Sequence, residues 1–491
     1  MGTSRNRLSF FLAGGVACTL TFAPAIGQQT TAQQQSAAQP PVPPAPAVGT
    51  SVGGGATGLT VTLDYATTLR YDENLGLEDP SLGSTSRWEN TLGIGVVNQT
   101  PNSQLTFDLS GLYRYADQPV AGSEADFTDP SVRLTYSRAA ANSQFNIRGE
   151  YRESDLNFNQ SLNDLNQDGV IDAADLAVDR GTRTTSRVGM TWQTGINDPL
   201  GFIFSYDRFD QQFQNTTDPN LFDTLRNSYS LTSLLRISPV LTGNVTLRYV
   251  DYSAKDTART DRQTTTLTTG ITYEVSPVTT VNAAIGYSQI DETLRAIPLD
   301  TDDEGFVASF SWMKTLPNGT ANAVIDRTFG TNGDRTSAQI GRTYTLQNGS
   351  FGFNAGISHG PFGENTPIAD INYTYTMNAS QFTASLRRRV GTSNQNVETR
   401  ETVARLGYDY SINALSNLSF RANFAEQENA GNGPSNRRQR TDFSASYTRA
   451  ITQDWNMTVG YLHRFKNDAG PGDADGNSVF LTLGRQFTLK P

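Results

Sequence analysis

The chain has 491 residues, of which 36% are hydrophobic, and its mean hydropathy is −0.45. A bundle of transmembrane helices is excluded, because each such helix needs about 20 consecutive apolar residues and no such run follows the N-terminal segment. The formal net charge of −10 argues against nucleic acid as a partner. A transmembrane β-barrel stays open, since a barrel exposes only alternate residues to lipid.

Two segments precede any regular pattern. Residues 1–27 have the features of a secretory signal peptide, with Arg5 and Arg7 at the start, an apolar stretch next and small residues at the end. Removing this segment takes away the single cysteine, Cys18, so we expect no disulfide; losing two arginines changes the net charge from −10 to −12. Residues 28–57 are rich in Gln, Ala, Pro and Gly without an apolar period, which predicts a disordered periplasmic tail.

The first unit of the regular pattern lies within residues 59–115. It contains three alternating runs, separated by a loop at 73–86 and a tight turn at 99–103. A strict period of two indicates a strand with one apolar and one polar face. The apolar positions of the first run are Leu59, Val61, Leu63, Tyr65, Leu69 and Tyr71.

About twenty-two alternating runs occupy residues 58–491, joined in turn by tight turns and by longer loops. Examples of the longer loops are 116–127, 153–183 and 288–304. This arrangement predicts an all-β fold, a transmembrane antiparallel up-and-down β-barrel of about 22 strands without a folded plug. Both termini are then expected on the short-turn, periplasmic side. A β-propeller has a similar repeat length, but its strands are shorter and its connections do not alternate in this way.

The last run, with Val479, Leu481, Leu483 and Phe487, resembles the aromatic-ended final strand that the outer-membrane assembly machinery recognises. With the signal segment and the strand pattern, it resembles Gram-negative outer-membrane proteins of the β-barrel porin 2 kind. That resemblance implies an integral outer-membrane protein with a porin or export function. The expected partners are outer-membrane lipids and lipopolysaccharide, the assembly machinery and export partners.

Residues 164–175 carry an acidic motif that has the spacing of an EF-hand calcium loop and resembles the dockerin variant. Calcium takes six to eight oxygen ligands, and Gly169 stands where the loop turns sharply. We therefore expect a structural Ca²⁺ site, of roughly 0.1–1 mM affinity because Asp replaces the usual bidentate Glu. By analogy with porin loops that fold into the pore, the surrounding loop at 153–183 is a candidate gate; a solvated acidic loop is the alternative. The predicted ligands are Asp164, Asn166, Asp168, Val170 (through its carbonyl), Asp172 and Asp175.

The polar parity of the runs is rich in arginine. If this parity faces inward, the barrel wall is basic although the chain is acidic, which favours passage of anions. The alternative is that arginines and acids of neighbouring strands pair and merely satisfy the wall. The predicted lumen residues are Arg70, Arg114, Arg133, Arg148, Arg152, Arg187, Arg236, Arg248, Arg387, Arg389, Arg405, Arg421 and Arg464.

The sequence predicts no enzyme. His359 and Ser358 are neighbours on a strand, so they point to opposite faces and cannot act as base and nucleophile. The leading hypothesis is a passive, porin-like outer-membrane channel for small, anionic or neutral solutes. A conduit for exopolysaccharide export and a structural or adhesive surface barrel with an occluded lumen are the alternatives.

Overall fold

The computed structural model describes residues 58–158, 176, 179–297, 299–393, 396–430, 437–468 and 472–489. Together these residues form 22 antiparallel strands. No helix in the described part is long and apolar enough to cross a membrane. The strands are β1 Gly58–Asp72, β2 Thr85–Gln99, β3 Ser103–Gln118, β4 Gly122–Ala140, β5 Ser143–Asp155, β6 Thr182–Thr194, β7 Leu200–Gln214, β8 Thr224–Ser238, β9 Leu241–Ala254, β10 Thr260–Ser276, β11 Thr279–Leu294, β12 Leu299–Leu316, β13 Gly319–Gly330, β14 Gly333–Leu346, β15 Gly349–His359, β16 Asn365–Thr376, β17 Ser380–Thr392, β18 Glu398–Asn413, β19 Ser416–Asn429, β20 Arg438–Ala450, β21 Trp455–Asp468 and β22 Gly472–Leu489.

The sheet closes on itself, because β1 pairs with β22 as well as with β2. Side chains reinforce this closure: Gln486 donates to Asp64 Oδ1 at 2.7 Å, and the hydroxyls of Thr68 and Thr482 are 2.9 Å apart. Closure leaves no strand edge exposed, which removes the usual site of aggregation in sheets. The predicted all-β antiparallel barrel and its strand number are confirmed.

The two faces of the sheet differ in polarity. Residues paired directly across strands lie on the same face, so each face can be followed around the ring. One face carries the exposed apolar residues, among them Leu69, Trp88 and Leu109. The opposite face carries, in one continuous row, Asp108 and its cross-strand partners Arg133 and Glu150. The apolar face is therefore the outer face and the polar face lines the lumen.

Tight turns and longer connections alternate between the two ends, which we call the short-turn end and the long-loop end. The loops predicted at 116–127 and 288–304 were too long. The connection between β3 and β4 is only 119–121, and the connection between β11 and β12 is only 295–298. The polar residues of the predicted loops continue the ladder, since backbone hydrogen bonding does not depend on apolar alternation. In β4 a bulge at Asp129, whose φ is 53°, shifts the register so that Asp126 and Arg133 share the inner face.

Residues 1–57, which include the predicted signal segment and tail, lie outside the described part of the chain. The absence of a folded plug and the periplasmic side of the termini therefore stay predictions.

Candidate functional site

All thirteen predicted lumen arginines lie on the inner face of the barrel. Their cross-strand partners establish this: Arg70 pairs with Arg87, and Arg464 pairs with Asp442. None of the thirteen is on β10–β16, so they occupy one continuous arc from β17 through the closure to β9. The remaining arc is rich in hydroxyl and amide groups, such as Thr268, Asn282 and Asn354. One side of the lumen is therefore rich in arginine, whereas the other side carries mostly hydroxyl and amide groups together with a few charged residues, such as Asp326 and Asp370.

Several of these arginines pair with acids of neighbouring strands at mid-height. The pairs are Arg133 with Glu150 (3.2 Å), Arg187 with Asp207 (2.8 Å), Arg387 with Asp370 (3.3 Å) and Arg421 with Asp409 (2.8 Å). All eight side chains stay between 28% and 56% exposed, so water reaches the wall at this level. The pairing alternative therefore holds for these four arginines, whose net charge is cancelled locally.

Three predicted arginines keep an uncompensated charge. Arg148, Arg152 and Arg248 make no ion pair within the described part of the chain. Arg148 and Arg152 flank Glu150 on the inner face of β5, and Arg248 lies four strands further along the same arc. Arg236, in contrast, donates to the carbonyls of Gly195 and Asp198 and so supports a short turn. The part of the wall with excess positive charge therefore lies on β5–β9.

At the long-loop end the inner face is buried in a network of charges centred on Asp72, whose side chain is fully buried. Arg70 Nε lies 3.1 Å from one carboxylate oxygen of Asp72, and Arg87 Nη2 lies 2.8 Å from the other. Ser478 on β22 also donates to Asp72. Arg464 lies 4.0 Å away. Such a cluster is satisfied only while every partner is present, because buried charge is costly to desolvate.

The network extends to Arg114 on β3, which contacts Glu89 at 3.0 Å, Asp129 at 2.8 Å and Asp155 at 3.3 Å. Phe158, from the start of the β5–β6 connection, lies over the guanidinium of Arg114. Its ring centre is 4.1 Å from Arg114 Cζ and 5.0 Å from Arg87 Cζ. A cation over an aromatic face contributes about 0.5–2 kcal/mol, more when water is excluded. Phe158 is thus held in the lumen entrance rather than in the external solvent.

The other end of the same connection reaches the far wall of the barrel. Leu176 is 2% exposed and packs against Val403 on β18 and Ala425 on β19. Arg440 on β20 donates from Nη2 to the carbonyl of Leu176 at 2.7 Å. The connection begins and ends on β5 and β6, so Leu176 contacts strands far from its own. Leu176 of the β5–β6 connection therefore lies at the side of the entrance opposite its own strands.

Asp179 fixes the return of this connection to the wall. Its carboxylate accepts the Thr217 amide and hydroxyl at 2.5 Å each and the Asp218 amide at 2.8 Å. Burial opposes ionisation of Asp179, but the hydrogen bonds from Thr217 and Asp218 outweigh it and hold its pKa below the usual range. The carboxylate therefore stays charged and ties the β5–β6 and β7–β8 connections together.

Asn396, in the connection between β17 and β18, also contacts strands far from its own. Arg262 Nη2 on β10 donates to Asn396 Oδ1 at 2.6 Å, and Asn396 Nδ2 donates to Glu292 on β11 at 3.0 Å. Thr331 and Asn332, between β13 and β14, also bind Asn396, at 2.7 Å and 2.8 Å. The described residues of these connections thus contact the inner wall at the long-loop end of the lumen, which we call the long-loop mouth.

The six predicted calcium ligands within 164–175 lie outside the described residues. Among the residues that the structure does describe, no group of three or more His, Cys, Asp or Glu side chains is placed to hold a metal ion. The calcium site stays a prediction.

Sequence reasoning missed the residues that make the mouth. Arg87 and Glu89 alternate with Trp88 in β2, so their inward direction could have been found from period two. Phe158, Leu176 and Asn396 carry no such signal, because their partners are distant in the chain.

Comparison with known proteins supports the fold alone. No family model matches the chain, so the resemblance to the β-barrel porin 2 kind receives no support from that comparison. No curated protein is similar to it in sequence either.

Solved structures share the barrel. The FrpB iron transporter of Neisseria meningitidis (F5-1 variant) matches with a TM-score of 0.57 and 9% identity over 88% of this chain and 83% of that one. The ferric-catecholate import receptor Fiu of E. coli K12 matches with a TM-score of 0.55 and 10% identity over 87% and 81% of the two chains. The copper transporter OprC matches with a TM-score of 0.52 and 10% identity over 88% and 81%. The chain thus has the fold of large outer-membrane β-barrels.

Proposed function

We propose that this protein is an integral outer-membrane transport channel whose long-loop mouth is closed at rest. The observation that carries the proposal is the combination of a water-accessible charged wall at mid-height with residues of the connections that are buried against the inner wall of the mouth. A barrel with a purely structural role would need neither exposed ion pairs in a hollow interior nor a separate closure. The names of the three structures described above are those of transporters or receptors, which agrees with a transport role.

The buried contacts at the mouth favour a gated channel over a permanently open, passive porin. Phe158, Leu176 and Asn396 lie in connections between strands, and each contacts the wall at strands other than those that its connection joins. These contacts are few, local and separate from the ladder, so they can be broken without unfolding the barrel.

The solutes that the lumen favours are small anions and neutral polar molecules. The uncompensated charges of Arg148, Arg152 and Arg248 attract anions, and guanidinium groups bind carboxylate and phosphate in a planar, two-pronged manner. The arc on β10–β16 suits molecules with many hydroxyl groups, because the hydroxyl and amide side chains that predominate on its inner face both donate and accept hydrogen bonds. That arc is the observation that favours the second candidate, a conduit for polysaccharide export.

The test of solute class is the reversal potential in planar bilayers under a salt gradient, measured in a barrel opened by Phe158→Ala and Leu176→Ala. We expect anion selectivity, and we expect Arg148→Gln, Arg152→Gln and Arg248→Gln together to shift the reversal potential toward zero. Arg449→Gln is the matched control, since Arg449 lies on the outer face and is exposed. An unchanged potential in the triple variant would remove the arginines from the selectivity mechanism, and silence of every variant would favour a structural barrel.

We also propose that the loop at 164–175 binds Ca²⁺ as a structural ion. Calorimetry on the full-length protein is expected to show binding at roughly 0.1–1 mM calcium, abolished by Asp164→Ala with Asp168→Ala and Asp175→Ala. Asp473→Ala with Asp475→Ala is the control, because those residues share the acidic character without the complete spacing. Equal calcium heats in both variants would assign the binding to general acidity instead of this loop.

A further inference from the structure

A groove of about 500 Å³ runs along the outer face of β4–β6 near the short-turn end. Its walls are Tyr136, Phe145, Met190 and Trp192, and Arg138 stands at its border. Arg138, Phe145 and Trp192 form one directly paired row across the three strands. The groove therefore combines an apolar floor with one cation at the end nearest the turns.

The guanidinium of Arg138 has no protein partner within the described residues. Within the described residues it makes no ion pair or hydrogen bond, and its side chain is exposed on the outer face. Among the other outward cations near the short turns, Arg485 pairs with Asp454 at 3.3 Å and lies 4.1 Å from the Phe487 ring, whereas Lys314 and Arg449 make no ion pair within the described residues. A free guanidinium on a lipid-facing surface is stabilised by an anionic group from outside the protein.

The groove has room to continue away from Arg138 toward the membrane interior. Gly149 pairs with Leu134 on β4 and Val188 on β6, so the outer face lacks a side chain between these two residues. A Cβ atom at Gly149 would meet only the Leu134 Cβ atom, at 4.0 Å, so a larger residue fits without backbone strain. The position can therefore be filled in an experiment without disturbing the sheet.

We propose that this groove binds an anionic glycerophospholipid, with the phosphate on Arg138 and an acyl chain along Met190, Trp192 and the gap at Gly149. Charge complementarity supports this occupant, because the exposed Arg138 is the single charged residue among the otherwise apolar and aromatic residues that line the groove. Aromatic residues beside such cations are typical of the level where lipid headgroups lie. The site is independent of transport through the lumen.

The test uses Trp192 as the reporter. The chain contains four tryptophans, so Trp88→Phe, Trp312→Phe and Trp455→Phe leave Trp192 alone. This protein is refolded into vesicles that contain dibrominated phosphatidylglycerol or dibrominated phosphatidylcholine, which quench nearby tryptophan. We expect half-maximal quenching at an about fivefold lower fraction of the anionic lipid, the factor expected for one basic residue near anionic lipid.

Arg138→Gln is expected to bring this ratio to about one, and Gly149→Leu to weaken quenching by the anionic lipid. Arg449→Gln is the matched control and should keep the ratio, because Arg449 borders a distant part of the ring. Equal quenching by both lipids in the parent protein, or an unchanged ratio in Arg138→Gln, would overturn the proposal. Loss of the preference on adding inorganic phosphate would also overturn it, since the site would then recognise free phosphate. Heat-dependent migration on a denaturing gel verifies that each variant is folded.

Discussion

Replacing Phe158 and Leu176 with alanine is expected to convert a silent or rarely open barrel into one with long-lived open states. Burying a Phe or Leu side chain stabilises the closed mouth by about 1.5–3 kcal/mol. The contacts of Phe158 with Arg87 and Arg114 add about 1 kcal/mol. Even if only about 3 kcal/mol of these contributions is lost from the closed state, the ratio of open to closed channels rises by about 100-fold. Single-channel recording in planar bilayers measures this ratio directly.

The matched control is Phe362→Ala with Leu82→Ala, because both side chains are in loops of the same end and are more than half exposed, at 53% and 56%. This control should conduct like the parent. Equal open probabilities in the two double variants would show that loop contacts in general, and not the contacts of Phe158 and Leu176, hold the mouth closed. An equally silent pair would show that the lumen is blocked at another level.

Much of the fold could be predicted from the sequence because a barrel repeats one local rule. Leu69, Tyr71 and Trp88 alternate with Arg70 and Arg87, and alternation alone assigns each side chain to a face. Turn residues such as those at 317–319 mark the tight connections. The prediction failed at the ends of β3 and β11, where the ladder continues through polar residues that the alternation treats as loop.

The mouth could not be predicted, because it is made of contacts between residues far apart in the chain. Arg262 and Asn396 are 134 positions apart, and Arg440 and Leu176 are 264 apart. Nothing in the local pattern around Asn396 identifies its partners, since the curvature of the closed sheet brings them together. The prediction of thirteen inward arginines likewise did not distinguish those that face water from those, such as Arg70, that are buried in the mouth.

That distinction separates two kinds of arginine with different roles. Arg133 and Arg387 are paired and partly exposed, so each contributes little to stability. Arg70 is buried with Asp72 as its only ion-pair partner among the described residues, whereas Arg87 also pairs with Glu89 at 3.1 Å, so Arg70 depends most on that carboxylate for compensation. The wall is therefore tolerant of substitution at mid-height and sensitive at the mouth.

Asp72→Asn should accordingly be among the most destabilising single substitutions in this chain. It leaves the buried guanidinium groups of Arg70 and Arg87, and the nearby one of Arg464, without their shared anion. Removing one partner of a buried charge cluster costs about 3–5 kcal/mol. Since Asp72 also accepts a hydrogen bond from Ser478 on β22, the loss falls on the closure between the first and last strands. Denaturant titration of the protein in vesicles, followed by tryptophan fluorescence, measures the change in the free energy of unfolding.

Asp409→Asn is the control for this experiment, because Asp409 pairs with Arg421 where both side chains are partly exposed, at 31% and 38%. That substitution should cost less than about 1 kcal/mol. The double variant Asp72→Asn with Arg70→Gln should recover part of the lost stability, because it removes the cation that has no other ion-pair partner among the described residues. Equal losses in Asp72→Asn and Asp409→Asn would mean that water enters the mouth and screens its charges. The proposal that the mouth is closed at rest would then be wrong.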